Sequence, residues 1–136
     1  MENVTEKVRE KVTGIGGIFF KSDNADTLRD WYRNHLGIAI DDSYGGAAFT
    51  WREKDEPDVV GMTLWSPFPS TTTYFEPTRA PFMINYRVTD LDAMLDQLRR
   101  AGAVVDEKID DTDYGRFGWA TDPDGNRFEL WQPSVK

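Results

Sequence analysis

Tyr114-Gly-Arg-Phe-Gly-Trp119, Asp122-Pro-Asp-Gly-Asn126 and Arg127-Phe-Glu-Leu-Trp131 follow one another near the end of the chain. An apolar run, a turn and a second apolar run predict a β-hairpin. Asp-Pro-Asp-Gly is turn chemistry, with Gly125 or Asn126 taking the left-handed position. Asp122 and Asp124 are thereby assigned to the turn and not to catalysis. Glu129 sits in the middle of the second strand, between aromatic and aliphatic neighbours. An ionised carboxylate is costly in such a place unless a partner meets it.

Working outward from the hairpin, residues 15–65 and 81–131 match at an offset near 66. Phe19-Phe20-Lys21 lies over Asn85-Tyr86-Arg87. Asp26, Leu28, Asp30 and Arg33 lie over Asp92, Met94, Asp96 and Arg99. Gly61-Met-Thr-Leu-Trp65 lies over Arg127-Phe-Glu-Leu-Trp131. The order and spacing predict an internal duplication.

Each half reads as βαβββ. The first strands are Ile15–Lys21 and Phe82–Val88. A helix over Ala25–His35 opens after Asp23 and Asn24, both good capping types, and stops before Gly37. A second over Leu91–Ala101 follows Asp90 and stops at Gly102. Leu91, Met94, Leu95 and Leu98 recur at helical spacing, as do Leu28, Trp31, Tyr32 and Leu36, so each helix is expected to show one apolar face. Short strands are expected at 38–41, 46–52 and 60–65, then at 103–109, 116–121 and 126–131. Residues 1–13 read as an N-terminal extension, with Val4, Val8 and Val12 four apart. Residues 14–136 read as a single domain: module one over 14–65, a linker over 66–80 and module two over 81–133. The fold class is α+β.

The chain has 136 residues, enough for one domain with a real core. No run approaches the ~20 apolar residues of a membrane span, and the polar N-terminus lacks the apolar stretch of a signal peptide. There is no cysteine, hence neither disulfide nor thiolate chemistry. The expectation is a cytoplasmic protein without a membrane partner. The formal net charge of −8 argues against nucleic acid, whose binding leans on Lys and Arg contacts to phosphate.

Two βαβββ units, closed by Asp122-Pro-Asp-Gly-Asn-Arg-Phe-Glu-Leu-Trp131, resemble the glyoxalase/bleomycin-resistance/extradiol-dioxygenase superfamily, the vicinal oxygen chelate proteins. Trp31-Tyr32-Arg33-Asn34-His35-Leu36-Gly37 is similar to that family's first-helix signature. The resemblance covers about residues 14–133. It implies that each sheet curls into a half-open cup holding a small molecule, and that two chains pair as a homodimer. It also implies where the metal ligands of the metal-dependent members would stand: Gly17 and Met83 on the first strands, Thr63 and Glu129 on the last.

Those positions depart from the family pattern. Gly17 has no side chain, Met83 offers a soft thioether, and Thr63 is a weak neutral ligand. Glu129 alone cannot supply the three or four protein ligands of a catalytic zinc. The sole histidine, His35, is placed at the end of the first helix, where its charged form suits the helix dipole. The expectation is therefore no metal and no cofactor.

Strand alternation places Phe19, Trp65, Met83 and Trp131 in the cup as apolar walls. Thr63, Asn85, Arg127 and Glu129 are its polar points, while Phe128 and Leu130 face the covering helix. Trp51 and Trp119 would widen the lining, and Phe68, Tyr74 and Phe75 of the linker would act as a lid. Apolar walls with few polar groups suit a small organic ligand. Glu129 has three readings: a structural partner of Lys21, Arg87, Arg116, Tyr86 or Thr63, a pocket anchor, or a catalytic acid/base with a raised pKa. The function expected first is metal-independent binding of a small organic molecule. The alternatives are a lyase, isomerase or dioxygenase using a non-standard metal site or Glu129 as base, and an interaction protein with a filled cup.

Overall fold

The computed structural model describes residues 9–134; the expected residues Val4 and Val8 of the extension lie outside them. Eight strands and two helices follow in the order β1 (Val12–Ser22), α1 (Ala25–Leu36), β2 (Ala47–Arg52), β3 (Val60–Pro69), β4 (Phe82–Val88), α2 (Leu91–Arg100), β5 (Val104–Val105), β6 (Asp110–Thr112), β7 (Gly115–Thr121) and β8 (Arg127–Pro133). The strands form one curved, unclosed mixed sheet in the order β2-β3-β1-β4-β8-β7-β5, with β6 added against β7. The architecture is α+β, as the sequence predicts.

The first strands of the two halves, β1 and β4, pair antiparallel at the centre, and each pairs parallel with the last strand of its own half. Gly17 lies opposite Leu64, 47 positions on, whereas Asn85 lies opposite Glu129, 44 positions on. The halves are out of step by three residues between their first and last strands. A uniform offset of 66 therefore cannot hold on both: with Phe19 matched to Asn85, the counterpart of Glu129 is Ser66, not Thr63. The register of β1 against β4 also shifts between Ile15 and Gly17. Such an irregularity re-aims side chains on the bulged strand.

Both helices cover the same face. The Asn24 side chain accepts from the Thr27 N–H at 3.1 Å to cap α1, and Asp90 accepts from the Ala93 N–H at 3.1 Å to cap α2. Gly37 ends α1 at φ +68°, a left-handed conformation that a β-carbon would strain. The helices pack unequally. Leu91, Met94 and Leu95 of α2 are buried against Val88 and Leu130, with Tyr86 and Phe128 alongside. In α1 no residue is fully buried: Tyr32 packs on Trp65 at 5.0 Å, but Trp31 is 51% and Leu36 62% exposed.

Three segments differ from expectation. Residues 38–41 form no strand, only an isolated bridge between Asp41 and Gly46, because Asp41 turns the chain by accepting from the Ser43 N–H and hydroxyl. The strand expected at 103–109 shortens to the two residues of β5, and β6 follows beyond it at Asp110–Thr112. β3 continues to Pro69, pairing with β1 through Ser22, so the linker begins after it. At the other end β1 opens at Val12, and Gln97 of α2 exchanges two hydrogen bonds with the Glu10 backbone.

Candidate functional site

Asn85 on β4, Glu129 on β8 and Trp119 on β7 are direct cross-strand neighbours. They share the face opposite the helices and form a row across three strands. All three are about 2% exposed. Asn85 Nδ2 donates to Glu129 Oε1 at 2.6 Å, and Trp119 Nε1 donates to Oε2 at 3.0 Å. The Tyr74 hydroxyl, from the inter-module linker, also donates to Oε2. Glu129 is thus held by three donors from three parts of the chain, and none is a cation.

Burial pushes the Glu129 carboxyl above its ordinary value; the bonds from Tyr74, Asn85 and Trp119, and the field of Arg127, pull the other way without cancelling it. Burial, and then the carboxylate beside it, push the Tyr74 hydroxyl up, which keeps it a donor. None of the partners expected for Glu129 is among its three donors. Arg116 pairs with Asp92 at 3.0 Å and with Asp111 at 3.2 Å. Tyr86 packs on Phe128 on the helix face. The Thr63 hydroxyl accepts from Trp51 Nε1 at 2.8 Å and donates to the Ile15 carbonyl.

The walls assemble in two parts. Phe19, Met83, Trp119 and the linker's Phe75 form one buried cluster, with Leu64, Phe68 and Phe117 packed against it. Phe75 is fully buried, and Tyr74 stacks on Phe68 at 5.8 Å. The linker therefore fills this part of the cup. The second part holds Trp131, which stacks on Phe117 at 5.7 Å and donates to the Tyr114 carbonyl at 2.8 Å. Beside it Arg87 lies between the rings of Trp131 and Trp51, at 5.1 and 5.4 Å. Arg127 lies over Trp119 at 5.3 Å and donates to Asp106 at 2.6 Å.

Of the residues expected in the cup, Asn85 and Glu129 belong to this row, Phe19, Met83, Arg127 and Trp131 stand around it, and Thr63 reaches its edge through Trp51. Trp65 does not join them. It pairs with Ile18 and packs against Phe20 and Tyr32 under α1. Alternation counted back from the wrong counterpart of Glu129 gave Trp65 the wrong face; Leu64 and Phe68 turn inward instead. His35 is exposed beside Trp31, away from the row.

Trp119 was missed as a partner of Glu129, although a hairpin turning at Asp122–Asn126 sets the two opposite each other. Tyr74 carries no such signal, since the linker's path is set only in three dimensions. Cavities of about 310 Å³ by the start of α1 and about 240 Å³ beside Tyr86 and Phe128 lie outside the row, because the linker occupies the space above it.

The family's divalent metal does not fit these residues. Each oxygen of Glu129 faces N–H or O–H donors, Met83 is sealed in an apolar cluster, and Asn85 turns its amide nitrogen toward Glu129. Among the described residues no three His, Cys, Asp or Glu converge on one point.

Comparison with known proteins gives the scaffold its relatives. A methylmalonyl-CoA epimerase from Mycobacterium tuberculosis is 24% identical, with 91% of this chain and 90% of that chain covered and a TM-score of 0.56. A methylmalonyl-CoA epimerase variant from Streptomyces coelicolor, in complex with 2-nitronate-propionyl-CoA, is 16% identical, with 92% and 100% covered and a TM-score of 0.63. A halotolerant catechol dioxygenase is 18% identical at a TM-score of 0.55, with 92% of this chain aligned to 41% of that one. These likenesses show a shared fold. No match was found among curated proteins. The profile of one family covers residues 14–130, and the chain belongs to that family, the Glyoxalase/Bleomycin resistance protein/Dioxygenase superfamily.

Proposed function

We propose that this protein binds a small organic molecule, without a metal, on the inner face of its sheet. The observation that carries the reading is the Asn85–Glu129–Trp119 row, a few fixed polar groups set among Phe19, Met83 and Trp131. Apolar walls with few convergent polar groups favour small ligands. Tyr74 and Phe75 roof the row, so a ligand reaches Glu129 only when the linker lifts. The linker is then a lid, held by one hydrogen bond and a seated phenyl ring. Ile15, Ile18, Trp31 and Leu36 are exposed apolar side chains that a second copy would cover, which supports a homodimer. The cysteine-free, acidic composition supports a cytoplasmic setting.

A titration of intrinsic tryptophan fluorescence with a panel of small aromatic and amphipathic molecules tests the reading. Saturable quenching that weakens at least tenfold in Trp131→Ala is the expected result. Elemental analysis that finds one divalent metal per chain would overturn the metal-free part.

A second reading has its own support. The raised carboxyl of Glu129 beside a protonated Tyr74 hydroxyl suits general acid/base work, and the fold is shared with an epimerase and a dioxygenase. On that reading Glu129→Gln abolishes turnover of a substrate that still binds.

A further inference from the structure

Arg87 and Glu129 are the charged residues buried among the described residues, and only Glu129 is satisfied. Arg87 is 7% exposed, and its Nε has no hydrogen-bond partner. No carboxylate among the described residues lies within ion-pair reach of it, although the chain carries 24 Asp and Glu. Arg29, Arg33, Arg116 and Arg127 all have such partners. Glu53 acts on Arg87 only through its field. A buried charge left without a counter-ion is costly.

The surroundings are built to hold that guanidinium. Trp51 belongs to β2, three strands from β4, yet its ring reaches Arg87. It does so by lying across Gly61 of β3 and Gly14 of β1, where a β-carbon would collide with the ring. Its Nε1 is anchored on Thr63. Gly16 likewise leaves room for Asn85, Trp131 and the Arg87 stem. Two tryptophan faces thus grip the guanidinium, which leaves its hydrogen-bonding edge to a ligand. The terminal nitrogens of Arg87 make no hydrogen bond among the described residues and are not among the sealed, unpaired atoms. Asn85 Oδ1, buried and also unpaired, adds an acceptor beside the same bare strand.

We propose that Arg87, clamped by Trp51 and Trp131, is an anion subsite that takes the carboxylate of a small organic acid. The proposal rests on the small-molecule reading above and gives it a substrate class. The carboxylate supplies the missing counter-ion through a forked pair of hydrogen bonds.

Benzoate and its neutral isostere benzamide are the probes, read by tryptophan quenching and calorimetry on the whole chain. Benzoate should bind saturably and at least tenfold more tightly than benzamide, with affinity falling as salt rises. Arg87→Met, which keeps the aliphatic stem, should lose at least tenfold for benzoate while benzamide is unchanged; Arg87→Lys should fall between. Equal affinity for the two probes, or unchanged benzoate binding in a folded Arg87→Met, overturns the anion subsite and leaves small-molecule binding standing. Absence of any saturable benzoate response overturns the subsite too. If Arg87→Met does not fold, the comparison of benzoate with benzamide on the unaltered protein still decides the matter.

Discussion

The Tyr74 hydroxyl donates to the Glu129 carboxylate, and so ties the segment between the two halves to the last strand of the second. Tyr74 meets Trp119 edge-on at 6.4 Å and stacks on Phe68. Replacing Tyr74 by Phe keeps the stacking and removes the donor. A hydrogen bond contributes about 0.5–1.5 kcal/mol, and more where its partner is charged, so urea unfolding of Tyr74→Phe should show a loss of about 1 kcal/mol or more. Limited proteolysis should cut faster within residues 70–81, because the segment loses its polar anchor.

Stability should fall as pH rises above the ordinary glutamate range. A carboxyl raised by burial holds its proton more tightly in the folded chain than in the unfolded one. Above about pH 4.5, the ordinary value, the unfolded chain has released that proton and the folded chain retains it. Folding therefore loses up to about 1.4 kcal/mol per pH unit from this group until its raised value is passed. Unfolding measured upward from about pH 4.5 should show this slope reduced in Glu129→Gln. In Tyr74→Phe the slope should extend to higher pH, since the Tyr74 bond lowers the Glu129 value.

Phe75→Ala tests how far the linker is part of the core. The ring is fully buried against Phe19, Met83 and Trp119. Truncating a buried phenylalanine costs about 3–5 kcal/mol. The melting temperature should drop accordingly, and the vacated space should make Trp119 more accessible to acrylamide quenching.

Two glycine substitutions should differ sharply. A β-carbon at Gly16 would collide with Asn85 and lie 2.9 Å from Trp131, both fixed by other contacts. One at Gly118 would sit 3.2 Å from a Leu95 methyl, which can give way. Gly16→Ala should cost about 1–3 kcal/mol, the range for forced overpacking, and Gly118→Ala clearly less. Equal losses in thermal unfolding would contradict this account of the close approach at Gly16.

The hairpin, α2 and the inward face of β8 were legible because each rests on local chemistry: a turn with its own hydrogen bonds, a capped helix with a regular apolar face, alternation about Glu129. The place of Trp65 was not legible. It depended on a register between distant strands, and a repeat that is close in sequence hides a step of three residues between β1–β3 and β4–β8. Residues 38–41 carry apolar side chains that suit a strand, but the Asp41 turn ends any pairing beyond one bridge. Arg87 was read from the sequence only as one of several partners for Glu129. Its clamp needs Trp51 to cross two neighbouring strands, which only the coincidence of Gly14 and Gly61 allows.

That step of three residues has a consequence for counting. A faithful duplication would present two equivalent binding places per chain. Here the buried acid stands on β8, and its structural counterpart on β3 is Ser66, which carries no charge. The clamped Arg87 also belongs to the second half, with Trp51 lent by the first. Each chain should therefore saturate at a single equivalent of ligand, with one half supplying the charges and the other the surface that frames them.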